Sequence, residues 1–460
     1  MTAELVFDPA LIHKYDKAGP RYTSYPTAVQ FHEGFGEIEY REHARSGNAA
    51  GRPLSLYFHL PFCDTVCFYC ACNKIITKNR RHTVPYLDHL YREIELQAGL
   101  FDRNRPVTQL HWGGGTPTFI SAAEMRELMR VTGEHFQLLD DGGGEYSIEV
   151  DPRETDGHTV ALLRELGFNR LSLGVQDFDP AVQKAVNRLQ SRDITLRVME
   201  AARREGFKSI SVDLIYGLPL QSVASFARTV EEIIAQNPDR VSVFNYAHLP
   251  DLFKTQRQID ANALPPPAVK LEILKTTIQQ LTDAGYVYIG MDHFAKPDDE
   301  LALAQQAGTL YRNFQGYSTH ADCDLIGFGA TSIGMVGDSY SQNLKGLEDY
   351  YARIDAGRLA VFRGVRLDAD DRLRRAVITD LICHFKLQFA AVEQRFSIHF
   401  PDYFMVELAE LADMQADELL ALDQTGIRVL PPGRLLIRNI CMVFDRYLRE
   451  QRRQRFSKVI

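Results

Sequence analysis

Along the middle of the chain, short apolar runs alternate with longer segments whose apolar residues recur at helical spacing. The runs are Leu54 to Leu60, Gln109 to Trp112, Tyr146 to Val150, Arg170 to Val175, Ser209 to Ile215 and Val241 to Tyr246, so six buried strands are expected. Between them Tyr86 to Leu100, Ala122 to Phe136, Thr159 to Leu166, Asp193 to Glu205 and Ser222 to Gln236 read as amphipathic helices. Parallel strands need a crossover and a helix supplies it, so this alternation predicts an α/β fold with a parallel sheet.

After Tyr340 the strand rhythm fades. Arg372 to Phe385, Tyr403 to Leu411, Ala416 to Leu422 and Arg434 to Arg453 read as helices, which predicts a mainly helical C-terminal domain. The stretch Gly426 to Leu436 is an apolar strand, then Pro431-Pro432-Gly433 and a helix start; it resembles the wing of a winged-helix module without implying DNA binding. Before about Pro53 lies a separate arm, in which Gly19-Pro20 and Tyr25-Pro26 favour turns and extended backbone.

Composition narrows this picture. A chain of 460 residues with 45% hydrophobic content can hold one large core and a smaller satellite, because single cores stop growing near about 300 residues. The net charge of -8 is spread along the chain, which argues against a nucleic-acid surface. Met1 to Tyr15 carries Glu4, Asp8, His13 and Lys14 and lacks the apolar stretch of a signal peptide or membrane span, so a cytoplasmic protein without membrane association is expected. Of seven cysteines, four fall between Cys63 and Cys72, and in a reducing compartment such clustering points to metal ligation rather than disulfides.

Each expected strand runs into a chemically informative loop: Pro61 to Cys72, Gly113 to Thr116, Asp151 to Arg153, Gln176 to Phe178, Gly217 to Pro219 and Ala247 to Pro250. Ordinary turn chemistry explains any one of them. Six together mark the carboxyl end of a parallel sheet as the functional end. The first loop carries Cys63-x-x-x-Cys67-x-x-Cys70-x-Cys72, close enough in sequence to wrap several thiolates around one iron-sulfur cluster. Three thiolates leave one iron open to an exogenous ligand. The rival is structural zinc, for which Cys-x-x-Cys pairs separated by a longer loop are usual.

At this spacing, with the aromatic Tyr69 just before the third cysteine, the sequence resembles the radical S-adenosylmethionine superfamily. Within it the chain is similar, over nearly its whole length, to the oxygen-independent coproporphyrinogen III oxidase family. The similarity rests on Gly19-Pro-Arg-Tyr-Thr-Ser-Tyr-Pro-Thr27, His59-x-Pro-Phe-Cys63, Cys70-x-Cys-Asn-Lys74, Leu110-His-Trp-Gly-Gly-Gly-Thr-Pro-Thr118, Ser147-Ile-Glu-Val-Asp-Pro-Arg153 and Gly174-Val-Gln-Asp-Phe178. It continues in Asp213-Leu-Ile-Tyr-Gly-Leu-Pro219, Phe244-Asn-Tyr-Ala-His-Leu-Pro250, Gly290-Met-Asp-His-Phe-Ala295, Asn313-Phe-Gln-Gly-Tyr317 and Arg434-Leu-Leu-Ile-Arg-Asn-Ile-Cys441.

The resemblance implies a partial six-stranded (β/α)6 TIM-like barrel, with residues 1–52 as an arm covering the active site, 53–345 as the barrel and 346–460 as the helical domain. It implies a 4Fe-4S cluster on Cys63, Cys67 and Cys70 and two bound S-adenosylmethionine molecules, one cleaved to a 5'-deoxyadenosyl radical. The implied reaction converts two propionates of coproporphyrinogen III to vinyl groups in haem biosynthesis, without oxygen. A flavodoxin- or ferredoxin-like electron donor and a monomeric state are expected with it. Two other readings stand beside this one: a haem chaperone of the same superfamily, expected to lack Cys72 and the Arg21 to Pro26 arm, and a zinc-stabilised binding module.

By the same resemblance, Tyr57, Gly114, Glu149 and Ile333 hold the cluster-bound S-adenosylmethionine, and Tyr69, Gly115, Thr116, Gln176, Arg188, Asp213 and Ala247 hold the second. The residue types suit this: glycine lets backbone approach a ligand, carboxylates receive ammonium and hydroxyl hydrogens, and an arginine fork matches a carboxylate. An Arg188–Asp213 structural ion pair is the alternative for those two. Cys72 is either a buried structural thiol or substrate-side. Arg21, Tyr22 and Tyr25 either meet the substrate or dock as a surface strand, and Arg21 and Arg312 are candidates for its carboxylates. Cys323, Cys383 and Cys441 are expected to pack, and His59, His111, His248 and His293 to be hydrogen-bonded rather than metal-bound.

Overall fold

The computed structural model of the chain describes residues 5–140 and 142–450. All six expected strands form: β1 (Leu54–Leu60), β2 (Pro106–Gly114), β3 (Glu145–Val150), β4 (Arg170–Gln176), β5 (Ser209–Tyr216) and β6 (Arg240–Asn245). They lie side by side in chain order and every adjacent pair is parallel. The crossovers contain α1 (Thr83–Ala98), α2 (Ala122–His135), α3 (Gly157–Glu165), α4 (Arg192–Arg204) and α5 (Val223–Ala235). Local chemistry sets where these helices begin. Ser121 and Glu124 form a reciprocal capping box at α2, while Asp156, Ser191 and Ser222 accept from the first-turn amides of α3, α4 and α5. Buried rings fill the core: Phe58 stacks on Phe328 at 4.7 Å between centroids, and Trp112 meets Phe168 edge-on at 4.9 Å.

The ladder does not stop at six strands. β7 (Asp324–Phe328), buried at all its positions, pairs parallel with β1 on the side away from β2. β8 (Ile333–Met335), β9 (Ser339–Asn343) and β10 (Val361–Arg366) then continue it antiparallel, so strand structure persists beyond Tyr340 where the pattern had predicted that it fades. The signal was masked because β7 opens on a charge and contains a glycine. Asp324 is 1% exposed and pairs with the equally buried Arg105 at 2.5 Å, and a Cβ at Gly327 would sit 2.9 Å from the Ile333 carbonyl oxygen.

Contacts divide the chain into two compact units, one of residues 30–266 and 322–366, the other of residues 5–29, 267–321 and 367–450 among those described. The breaks expected at 52/53 and 345/346 are therefore not where the contacts part. In the first unit the helix Glu37–Ala50 packs on β9 and β10, with the Tyr40 hydroxyl donating to Gln97 at 2.9 Å. In the second, the Tyr22 hydroxyl donates to Asp445 at 3.0 Å and Arg438 Nε donates to the Pro20 carbonyl at 3.0 Å.

The C-terminal part of this second unit contains the helix Ala369–His384 and a small antiparallel sheet of Lys386–Gln388, Gly426–Val429 and Leu420–Leu422. The helix expected over Ala416 to Leu422 is thus corrected. The preceding helix ends at Ala416, Glu418 takes a left-handed φ of 57°, and Leu420–Leu422 enters a hairpin closed by Asp423, whose carboxylate accepts from the amides of Thr425 and Gly426. Arg434 to Arg453 is broken into Pro431–Leu435, Ile437–Val443 and Arg446–Glu450, and the residues past 450 lie outside the described chain. Among the described residues no helix is long and apolar enough to cross a membrane.

Candidate active site

The cysteine loop leaves the carboxyl end of β1 and is held on every side. Phe62–Cys63 pairs parallel with Ile75–Ile76, so the chain returns on itself. The Phe68 amide donates to the Val186 carbonyl at 3.0 Å and Asn187 Nδ2 to the Val66 carbonyl at 2.8 Å. Gln256 Nε2 donates to the Tyr69 carbonyl at 3.0 Å, and Lys74 Nζ to the Cys70 carbonyl at 2.8 Å. Glycine permits the neighbouring approach: a Cβ at Gly115 would lie 2.7 Å from the Phe62 carbonyl oxygen, and Gly114 has a φ of 120°.

Over this loop and the ends of β2 to β6 opens a cavity of about 340 Å³. Cys63, Cys67, Cys70 and Cys72 all line it, together with Tyr69, Gly114, Gly115, Thr116, Glu149, Gln176, Arg188 and Asp213. Tyr57, Ile333 and Ala247 are not among its lining residues. Tyr57 is one layer back, stacked on His111 at 5.8 Å and hydrogen-bonded to His59 Nδ1 at 3.1 Å. Ile333 lies in β8, and Ala247 follows β6.

Glu149 is deep in the fold, yet 47% of its side-chain surface opens on the cavity. Burial would raise its pKa, but His111 Nε2 at 3.4 Å and the Gly114 amide at 3.2 Å outweigh that and hold it below the ordinary carboxylate range. His111 is itself oriented by Ser147 Oγ at 2.6 Å. Asp213 is the opposite case: burial and the charge of Glu149 push it up to about 6, although Ser172 donates to it at 3.1 Å. Two carboxylates with different proton affinities therefore face one cavity.

Arg188 is buried, and its ion pair is with Asp151, at 3.0 Å, rather than with Asp213. Its Nη2 donates to the Gly174 carbonyl at 2.6 Å, and Nε has no protein partner. Gln176 ends β4 with a left-handed φ of 69°, next to a register shift against β5, which turns its side chain out of the ladder's alternation. Cys72 is exposed toward the cavity rather than packed away. A hydrogen bond from it, with the Lys74 charge, pulls the Cys70 thiol below the ordinary thiol range against its burial.

Of the remaining expectations, Cys323, Cys383 and Cys441 are buried. His59 bonds Tyr57 and the Asn73 carbonyl, His248 bonds Tyr246 at 2.9 Å, and His293 sits edge-on to Tyr317. In the other unit, Tyr22 and Tyr25 are 3% and 2% exposed, so neither ring is free to meet a ligand in this conformation. Arg21 pairs with Asp292 at 2.6 Å. Arg312 is 7% exposed and lies over the Tyr317 ring at 4.7 Å, with Nε and Nη1 lacking a protein partner.

Two functional residues not singled out from the sequence are Asp151 and Arg153, in the Asp-Pro-Arg turn that follows β3. Asp151 accepts from Arg153 Nη2 at 2.7 Å as well as from Arg188, and both guanidinium groups reach the Cys67 sulfur at 3.6 Å. On the other side Thr116 Oγ1 donates to the Cys63 sulfur at 3.5 Å. Of the four thiols around the cavity, Cys63 and Cys67 already receive hydroxyl or guanidinium donors, and with Cys70 they match the donor set and outer shell of a thiolate-bound iron-sulfur cluster. Among the described residues no three ligating side chains close on a single point.

Residues 57–233 match the radical SAM superfamily, and residues 367–436 match the HemN C-terminal domain. The chain is 57% identical over 454 residues, 99% of each chain, to the oxygen-independent coproporphyrinogen III oxidase of Pseudomonas aeruginosa. It is 51% identical over 458 residues, again 99% of each, to the protein of that name from Escherichia coli. The solved structure described as coproporphyrinogen III oxidase (HemN) from Escherichia coli, a radical SAM enzyme, matches with a TM-score of 0.92 at 50% identity, covering 97% of this chain and all of that one.

Proposed function

This chain belongs to the oxygen-independent coproporphyrinogen III oxidase family of radical SAM enzymes, and we propose that it converts two propionates of coproporphyrinogen III to vinyl groups, giving protoporphyrinogen IX in haem biosynthesis. Each turn removes one hydrogen atom and one electron from a propionate arm and releases carbon dioxide; the electron passes to a separate acceptor. The observation that carries this is the convergence of Cys63, Cys67 and Cys70 with Glu149 and Asp213 on one cavity at the carboxyl end of the parallel strands. When bound there, a 4Fe-4S cluster with S-adenosylmethionine supplies the hydrogen-abstracting radical.

Cys63, Cys67 and Cys70 hold the cluster in this reading, and Thr116, Arg153 and Arg188 donate to its sulfur ligands. Glu149, kept ionised by His111 and the Gly114 amide, receives hydrogens from the cluster-bound S-adenosylmethionine, with Tyr57, Gly114 and Ile333 beside it. A second S-adenosylmethionine is placed against Tyr69, Gly115, Thr116, Gln176, Arg188, Asp213 and Ala247. Arg188 Nη1 and Nη2 are engaged by Asp151 and Gly174, and Nε, which has no protein partner, is assigned to that ligand. Cys72, opening on the cavity, is assigned to the substrate side.

The six parallel strands are read as a partial (β/α)6 barrel, and the protein as a cytoplasmic monomer served by a flavodoxin- or ferredoxin-like donor. Cys72 and the Arg21 to Pro26 segment, both present, separate it from the haem chaperone reading. The test is anaerobic: reconstituted protein, reductant, S-adenosylmethionine and coproporphyrinogen III, with the tetrapyrrole followed by mass. Two successive losses of carbon dioxide and hydrogen are expected, and a substrate of unchanged mass from iron-loaded protein overturns the assignment.

A further inference from the structure

We infer that Arg153, acting with Arg188 and Asp151 on the Cys67 sulfur, sets the ease with which the cluster of this enzyme accepts its electron. The inference rests on Cys67 being a cluster ligand. Arg153 Nη2 and Arg188 Nη1 each lie 3.6 Å from the Cys67 sulfur, and Asp151 Oδ2 bridges the two guanidinium groups at 2.7 Å and 3.0 Å. Arg188 and Asp151 are both under 10% exposed, and the Arg153 side chain is 17% exposed, so solvent screens this cluster weakly.

The charge count decides the direction. One carboxylate neutralises one of the two arginines, which leaves a net positive charge beside a single sulfur ligand. A cation there favours the state that carries one more electron, and hydrogen bonds to cluster sulfurs act in the same sense. No bond is made or broken: one electron enters from a donor of the flavodoxin or ferredoxin class, and Arg153 stabilises the result. Its planar fork also explains why arginine is used, since one face meets Asp151 through Nε and Nη2 while Nη2 still reaches the sulfur.

The experiment compares midpoint potentials of anaerobically reconstituted wild type, Arg153→Gln and Asp151→Asn, each first assayed for iron and sulfide. Arg153→Gln should lower the potential, so that at a fixed poise the reduced-to-oxidised ratio falls about tenfold, which for a one-electron couple is about 59 mV. Asp151→Asn, which leaves both cations without their counter-charge, should raise it. Loss of packing alone would not move the two variants in opposite directions. Where Arg153→Gln fails to retain a cluster, the rise in Asp151→Asn carries the test. Clusters assembled at wild-type iron content with unchanged potential in the variants, or shifts of the same sign, overturn the inference; absence of any cluster from the wild-type protein instead overturns the functional reading on which it rests.

Discussion

Replacing Glu93 with glutamine should change how the stability of this protein depends on pH. Glu93 lies in α1 with 0% exposure, and its carboxylate accepts from the Gly329 amide at 2.7 Å, the Tyr350 hydroxyl at 2.7 Å and Asn343 Nδ2 at 2.6 Å. Burial dominates these three donors and raises its pKa from 4.5 to about 7. The native value exceeds the unfolded one, so between pH 4.5 and about 7 the folded chain keeps a proton that the unfolded chain has released. Stability from this group is complete below the lower value and is lost as pH rises through the upper one. At 1.36 kcal/mol per unit, the whole loss is roughly 3 kcal/mol.

Glutamine removes that titration and substitutes a fixed cost. All three neighbours are donors, an amide offers a single acceptor oxygen, and its own N–H groups face Asn343 Nδ2; one unsatisfied group of this kind costs about 1–3 kcal/mol. Wild type should therefore be more stable than Glu93→Gln at pH 5, with the gap narrowing by roughly 2–3 kcal/mol by pH 8. Urea unfolding of matched metal-free preparations, followed by circular dichroism at several pH values, reads this gap directly. A difference that stays constant from pH 5 to pH 8 would refute the reasoning.

Glu149→Ala should keep the cluster and weaken S-adenosylmethionine binding by about tenfold or more, the worth of one or two hydrogen bonds to a charged group; calorimetry that finds an unchanged dissociation constant removes Glu149 from the site. Gly115→Ala brings a Cβ to 2.7 Å from Phe62 and Pro61 backbone atoms, which cannot yield as a flexible side chain would, so iron retention should fall while the circular dichroism of the fold persists; full iron loading contradicts this. Asp213, raised to about 6 chiefly by burial, is ionised only above that value, so affinity for a cationic sulfonium ligand should strengthen as pH rises from 5 to 7 in wild type. The pH dependence of binding in Asp213→Asn should be flatter, and identical profiles for the two proteins count against a role for Asp213.

Much of the scaffold was legible because it is local. The six parallel strands and their five helices follow from apolar runs, helical spacing and caps such as Ser121 with Glu124, all readable within about fifteen residues of sequence. β7 was not, since it opens on Asp324, whose charge is tolerated only because Arg105, distant in sequence, is folded against it. The helix expected at Ala416 to Leu422 failed for a similar reason: its residues favour helix, but Asp423 closes a hairpin and Gly426–Val429 offers a strand to pair with.

The same division holds for the active site. Sequence alone determined the chemistry available: three cysteines on a strand-end loop, glycines where backbone must come close, and carboxylates at neighbouring strand ends, because residue type and strand position are properties of the chain itself. Tertiary structure decided how those groups act on one another. It gave Arg188 to Asp151 instead of Asp213, turned Cys72 onto Cys70, aimed Arg153 at the Cys67 sulfur and separated the proton affinities of Glu149 and Asp213. Charge interactions depend on distance and burial, and neither exists until separate strands are brought side by side.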